Sequence, residues 1–209
     1  NNEGIENNKI FFVGNVMIDT LLKHKEKSKE SKILNKLKIS KNEYCILTVH
    51  RPSNVDNFGS LNCLYNILNK IQQKINIIFP VHPRTLKNMK RFDLQSKFKS
   101  LKNLILTEPL GYLDFLCLMN NAKLVITDSG GIQEETTILG VPCITLRNNT
   151  ERPVTVEQGT NVLVSRDSQK ITEASLSIID GAKVNGKIPY LWDGKASERI
   201  VNILLSKLK

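Results

Sequence analysis

In LVITDSGGIQEE, residues 124–135, a short apolar run ends in an aspartate, a serine and two glycines, and a polar, helix-forming stretch follows at once. The run reads as a buried strand, the paired glycines as a tight turn, and the following helix is expected to stop at Gly140, a natural C-cap. Two residues without a Cβ leave backbone N–H groups open at the positive end of a helix, which is the geometry that holds a phosphate. Ser129 can add a hydroxyl donor, and Glu135, one turn beyond Gly131, is placed to reach a ribose hydroxyl. Taken alone, the segment is equally a plain turn with Ser129 as N-cap.

The same alternation extends in both directions. Residues 44–50 (YCILTVH), 75–81, 104–107, 123–127, 143–146 and 162–164 are short apolar runs. Helical patterns lie between and after them, over 61–74, through Lys90, over 112–121, over 168–179 and over 196–208. In the first of these, Leu61, Leu64, Tyr65, Leu68 and Ile71 share one helical face. Continuous apolar strands alternating with amphipathic helices indicate a doubly wound α/β fold, a parallel sheet with helices on both faces. Such sheets bind ligands beyond the carboxyl ends of their strands. The residues there are His50 and Arg51, His82 and Arg84, Glu108 and Pro109, Asp128 to Gly131, and the loop from Arg147 to Arg152.

Composition narrows the function classes. The 209 residues carry 30 Lys and Arg against 20 Asp and Glu, a formal net charge of +10, with 40% hydrophobic and 24% charged residues. This is globular composition, in a chain long enough to bury about 70% of its unfolded surface. The excess charge is mostly dispersed Lys, and aromatics are only 6%. That argues for solvated faces and against a nucleic-acid interface, which clusters its cations and interleaves aromatics. No run of about 18 apolar residues exists, so no membrane-spanning helix is expected. Cys45, Cys63, Cys117 and Cys143 are widely spaced within apolar segments, the pattern of free thiols in a cytosolic protein rather than of disulfides or a zinc site.

The candidate residues therefore describe an anion-binding crevice. His50 and His82 each end a strand, where an imidazole can donate to a phosphate or act as acid or base. Arg152, in RNNTERP, is suited to phosphate oxygens. Phe115 can supply a stacking floor for a nucleobase. A nucleoside diphosphate is the ligand class these groups favour, and they leave the reaction open.

TVHRPSNVD, FPVHPRT, EPLGYLDFLCLM, TDSGGIQEE, LGVPCITLRNNTERPVTVEQGTNVLV and LWDGKASERIV, in that order, resemble the C-terminal half of the non-hydrolysing UDP-N-acetylglucosamine 2-epimerase family, from Gly14 to the end. The resemblance implies the second Rossmann-like domain of a glycosyltransferase-B fold, the one that grips UDP. It implies a UDP-GlcNAc to UDP-ManNAc epimerase that works by elimination and re-addition of UDP through a 2-acetamidoglucal, without cofactor or metal. By the same carry-over His50 contacts the diphosphate and is catalytic, Ser129, Gly130 and Gly131 hold the phosphates, Glu135 binds the ribose, Phe115 lies beside the uracil and Arg152 completes the site. Arg51 and His82 correspond to residues of a regulatory UDP-GlcNAc site in some members, whose HRxE motif is HRPS here, with Ser53 for the glutamate. Leu110 likewise replaces a glutamine found in some members.

The organisation this implies is a tail of a preceding domain with a connecting helix over 1–24, the UDP-binding domain over 25–194, and a C-terminal helix over 195–209 that packs toward an N-terminal domain. The chain begins without Met, and the expectation is a piece of a longer polypeptide whose first domain supplies the catalytic carboxylates. A cytoplasmic homodimer serving cell-surface polysaccharide synthesis is implied, with this piece binding UDP weakly and not epimerising alone. Related substrates include 2,3-diacetamido uronic acid nucleotides. A UDP-sugar-dependent glycosyltransferase domain and a non-catalytic nucleotide-sugar-binding module are the alternatives.

Overall fold

The computed structural model describes residues 4–165 and 167–208. After a 3-10 turn at Asn7–Lys9 come α1 (Val16–Ser28), α2 (Ile33–Leu37), β1 (Tyr44–Thr48), α3 (Pro52–Val55), α4 (Phe58–Ile71), β2 (Asn76–Pro80), α5 (Pro83–Arg91), α6 (Gln95–Lys99) and β3 (Leu104–Thr107). The second half contains α7 (Tyr112–Asn120), β4 (Leu124–Thr127), α8 (Gly130–Leu139), β5 (Cys143–Leu146), α9 (Pro153–Glu157), β6 (Asn161–Val164), α10 (Ser168–Ile179) and α11 (Ala196–Lys207). All strand pairs are parallel, in the order β3-β2-β1-β4-β5-β6. This is the doubly wound arrangement expected, and its strand order reverses between β1 and β4, which opens a crevice at their carboxyl ends.

Period-two alternation splits β1, β2 and β4 between two cores. Cys45, Leu47, Ile77 and Phe79 face α4, α5, α6 and α10, whereas Tyr44, Ile46, Ile78 and Val125 face α1, α2, α7 and α8. Each fully buried Ile or Leu contributes about 1.5–3 kcal/mol. The Tyr44 hydroxyl, buried with its ring, donates to the Leu118 carbonyl at 2.6 Å and ties β1 to α7. Cys45, Cys117 and Cys143 are buried and Cys63 is half-buried, all four as free thiols. Burial pushes the Cys45 thiol up to about 12, so it stays protonated and acts as a small apolar side chain.

The helix ends follow their sequence signals. Gly140 takes φ +69° after α8. Its N–H meets the Thr137 carbonyl at 3.4 Å while Val141 N–H reaches Thr136 at 3.0 Å, the paired bonds of a Schellman stop. The two outer segments of the chain are joined. Asp19 accepts from the backbone of Ala196 and Ser197 at the start of α11, and Arg199 donates to the Val13 carbonyl. Gly14, at φ +97°, lies where a Cβ would come within 2.2 Å of the Leu191 carbonyl oxygen, so no other residue fits without a shift. Ile18 and Leu21 of α1 are fully buried in the second core.

Candidate functional site

The crevice at the strand-order reversal is built on β1 and β4. Their last residues, Thr48 and Thr127, are register partners whose hydroxyls lie 2.7 Å apart. Beyond them the chain leaves β1 through Val49, His50 and Arg51, and leaves β4 through Asp128 and Ser129. Asp128 is wholly buried and fastens the two exits together. Its Oδ2 accepts from the backbone N–H of His50 at 3.0 Å and of Arg51 at 2.9 Å, and from the Asn54 amide at 2.9 Å. Arg51 Nε donates to the Asp128 carbonyl at 3.0 Å.

Ser129 is the N-cap of α8, and its side chain makes no capping bond to the helix. Gly130 and Gly131 open that helix. Neither has a positive φ, a Cβ at Gly131 would meet nothing within 4 Å, and one at Gly130 only the Glu151 carboxylate, at 3.9 Å. Neither backbone conformation nor protein packing therefore requires glycine here. What these residues leave is free space over open N–H groups at the positive end of a ten-residue helix, where an anion is stabilised.

Cations and imidazoles surround that end. The His50 and His82 rings lie 5.3 Å apart, centroid to centroid, and tilted by 32°. His82 N-caps α5, its Nδ1 accepting from Arg84 N–H at 3.1 Å, while the Arg84 guanidinium is held by Asp56 at 2.7 Å through Nε. Arg147 pairs with Glu151, and Arg51 Nη2 lies 3.8 Å from the same carboxylate. The Arg147 guanidinium holds the Glu151 carboxyl down at about 2, so it stays ionised.

Further along α8, Glu134 and Glu135 are both buried. Burial pushes the Glu135 carboxyl up, the Tyr112 hydroxyl acts against the shift by donating to Oε1 at 3.1 Å, and the neighbouring Glu134 charge adds to it. Glu134 is also raised by burial, opposed by the Arg152 charge and a bond from the Asn15 side chain. Arg152 Nε sits 2.6 Å from Glu134 Oε1.

Among the sequence candidates, His50, Ser129, Gly130 and Gly131 thus meet at the reversal point, with Arg51 and His82 beside them. Glu135 lies on the same helix and is joined to α7 through Tyr112. Phe115 is half-buried on α7 against the second core. Arg152 is engaged with Glu134. Asp128, Tyr112, Asn54 and Glu134 were given no role by the sequence reading; only Asp128, which directly follows a strand, carried a signal for one. A cavity of about 340 Å³, lined among others by Asn54, Ser60, Cys63 and Ile171, holds no charged group.

Comparison with known proteins decides the family. A model of the UDP-N-acetylglucosamine 2-epimerase family matches residues 1–205. The chain belongs to the UDP-N-acetylglucosamine 2-epimerase family. It is 47% identical over 210 residues to an enzyme of that name from Methanocaldococcus jannaschii, covering 97% of this chain and 56% of that protein. It is 32% identical to a UDP-2,3-diacetamido-2,3-dideoxy-D-glucuronate 2-epimerase of Pseudomonas aeruginosa, over 97% of this chain and 55% of that one. The crystal structure of the M. jannaschii epimerase in complex with UDP-GlcNAc and UDP superposes with a TM-score of 0.88 at 45% identity, covering 98% of this chain and 57% of that one. The chain spans about half the length of these relatives and corresponds to their C-terminal half. Its Rossmann-like unit is that of the glycosyltransferase-B type epimerases. Among the described residues no helix is long and apolar enough to cross a membrane.

Proposed function

We propose that this chain is the UDP-binding half of a UDP-GlcNAc 2-epimerase. The observation that carries the reading is the α8 N-terminus: a helix end at the strand-order reversal, uncapped by its own side chain and fronted by two glycines that the protein's own packing does not require. The family and the relative solved with UDP-GlcNAc and UDP support a uridine diphosphate there. In this reading Ser129, Gly130 and Gly131 hold the phosphates, His50 is the catalytic group at the diphosphate, and Glu135 takes the ribose. Phe115 flanks the uracil, and Arg152 closes the site, exchanging its contact with Glu134 for the nucleotide.

Epimerisation by elimination and re-addition needs a base for the C2 proton and a site that stabilises departing UDP and keeps it for return. The residues above supply the second requirement, and a partner domain of the same polypeptide supplies the first. We place that domain against the connecting segment before α1, where exposed Phe12 stacks on Tyr190 of the loop before α11, and against α11 and its end, where Val201, Leu204, Leu205 and Leu208 are exposed apolar side chains. The reaction is read as cytoplasmic, in a homodimer, with Arg51 and His82 at a regulatory margin. The 32% identity to the P. aeruginosa enzyme favours a second substrate class, the 2,3-diacetamido uronic acid nucleotide, on the same grip.

Titration calorimetry with UDP tests the grip. Ser129→Val and Arg152→Ala are expected to lose about 1–3 kcal/mol each. Unchanged affinity in both removes the site. Turnover of UDP-GlcNAc by the 209 residues alone would remove the division of labour.

A further inference from the structure

We propose that Asp128 is a positioning residue for His50: its second carboxylate oxygen holds the proton on His50 Nδ1, so that Nε2 is the ring atom offered to the ligand. Oδ2 already accepts three hydrogen bonds, two of them from the backbone of His50 and Arg51. Oδ1 accepts none, and among the described residues it is the single buried side-chain polar atom without a hydrogen-bond partner. His50 Nδ1 lies 3.2 Å from it, close enough for an ion-pair contact and short of hydrogen-bond alignment. Bonds made by catalytic groups commonly reach full geometry only in the substrate complex.

Fastening β1 to β4 does not by itself account for a carboxylate. An asparagine carbonyl would accept the same three donors without the cost of a buried charge. The Arg147 cation offsets part of that charge, and Oδ1 gives it a use at His50, since a carboxylate oxygen can only accept, and an imidazole nitrogen stable beside it carries the proton. The same side chain then fixes His50 at two points, its backbone through Oδ2 and its ring through Oδ1.

The groups around the ring sharpen the assignment. His82, its ring tilted against that of His50, has its Nδ1 accepting from Arg84 N–H and so carries its own proton on Nε2. Arg51 is held to the Asp128 carbonyl and Glu151. With Nδ1 protonated and facing a carboxylate, Nε2 is the ring atom left to meet a diphosphate. This consequence rests on the UDP reading; the tautomer does not.

A side-chain ¹⁵N–¹H correlation spectrum of the labelled chain, at a pH where the imidazoles are neutral, tests the geometry without any variant. Its internal standards are His24, whose Nδ1 faces the Thr20 carbonyl at 2.8 Å and is therefore protonated, and His82 in the opposite form. His50 is expected in the Nδ1–H form, and the Nε2–H form would overturn the proposal. In Asp128→Asn the amide oxygen must serve the three donors, leaving the NH₂ group toward His50. The His50 proton is then expected to move to Nε2, with His82 unchanged. A His50 tautomer unaltered by Asp128→Asn refutes the role, whereas a wild-type chain that binds no UDP refutes the ligand reading and leaves the tautomer to decide the positioning role.

Discussion

Two long helices of this domain, α8 and α10, each begin shortly after a parallel strand, and they begin differently. At α10 the chain closes its own helix end, Asp167 accepting from the backbone N–H of Gln169 at 2.9 Å and of Lys170 at 3.2 Å. At α8 the N-cap Ser129 makes no such bond, and two glycines stand where side chains would fit. Orphan N–H groups at a helix start are normally satisfied by the chain itself or by something outside it. The helix that follows the edge strand is finished internally, and the one at the strand-order reversal is left uncapped by its own chain. Carboxylates follow the same division: Glu173 of α10 is exposed and bonded to Gln169, whereas Glu134 and Glu135 of α8 are buried.

The contrast is most easily broken at Gly131. A Gly131→Val change, by crowding the open N–H groups, should cost UDP binding about two charged hydrogen bonds, roughly hundredfold in affinity. Calorimetry reads that loss, and a thermal melt should show little change. At α10, Asp167→Ala should cost about 1 kcal/mol of stability through loss of a working cap, or about 2–4 °C in Tm, with UDP affinity untouched. Ser129→Ala should do the reverse, leaving Tm in place while UDP affinity falls severalfold, as one hydroxyl bond is worth about 1 kcal/mol.

A smaller effect separates the two helices by pH. Burial raises Glu134 and Glu135 above the ordinary 4.5, so the native state binds their protons more tightly than the unfolded chain does. Their contribution to stability is therefore greatest below 4.5 and is lost as pH rises through the raised values. Glu135→Gln should flatten that slope in denaturant melts taken upward from pH 4.5, and Glu173→Gln in α10 should not. An unchanged slope in Glu135→Gln would show that its carboxyl is not held up by burial.

Much of this was legible before any coordinates. The strands at Leu104–Thr107 and Cys143–Leu146 and the helix at Ser168–Ile179 fall where apolar runs and periodicity place them. The short helices α2, α3, α6 and α9 were not read, because four or five residues carry no recognisable period. Ser129, Gly130 and His50 could be picked out as candidates because they directly follow strands, and the fold brings them to the strand-order reversal. The roles of Asp128 and Glu134 were not, because they depend on partners distant in sequence. Asp128 meets His50 and Arg51 from 78 and 77 residues away, and no spacing rule reports a bond of that kind. Arg152 was recognised as a cation, but its engagement with Glu134 required the fold to bring α8 and the Arg147–Arg152 loop together.

The central claim, that the start of α8 is kept open for a diphosphate, is tested most directly by giving α8 the kind of cap α10 has. Ser129→Asp places a carboxylate where Asp167 has one, able to accept from the open N–H groups and opposed in charge to the proposed ligand. Titration calorimetry with UDP, run beside a thermal melt of the same protein, should show binding by the wild type, none by the variant, and a variant more stable by about 1 kcal/mol. Equal UDP affinity in the two proteins would contradict the account.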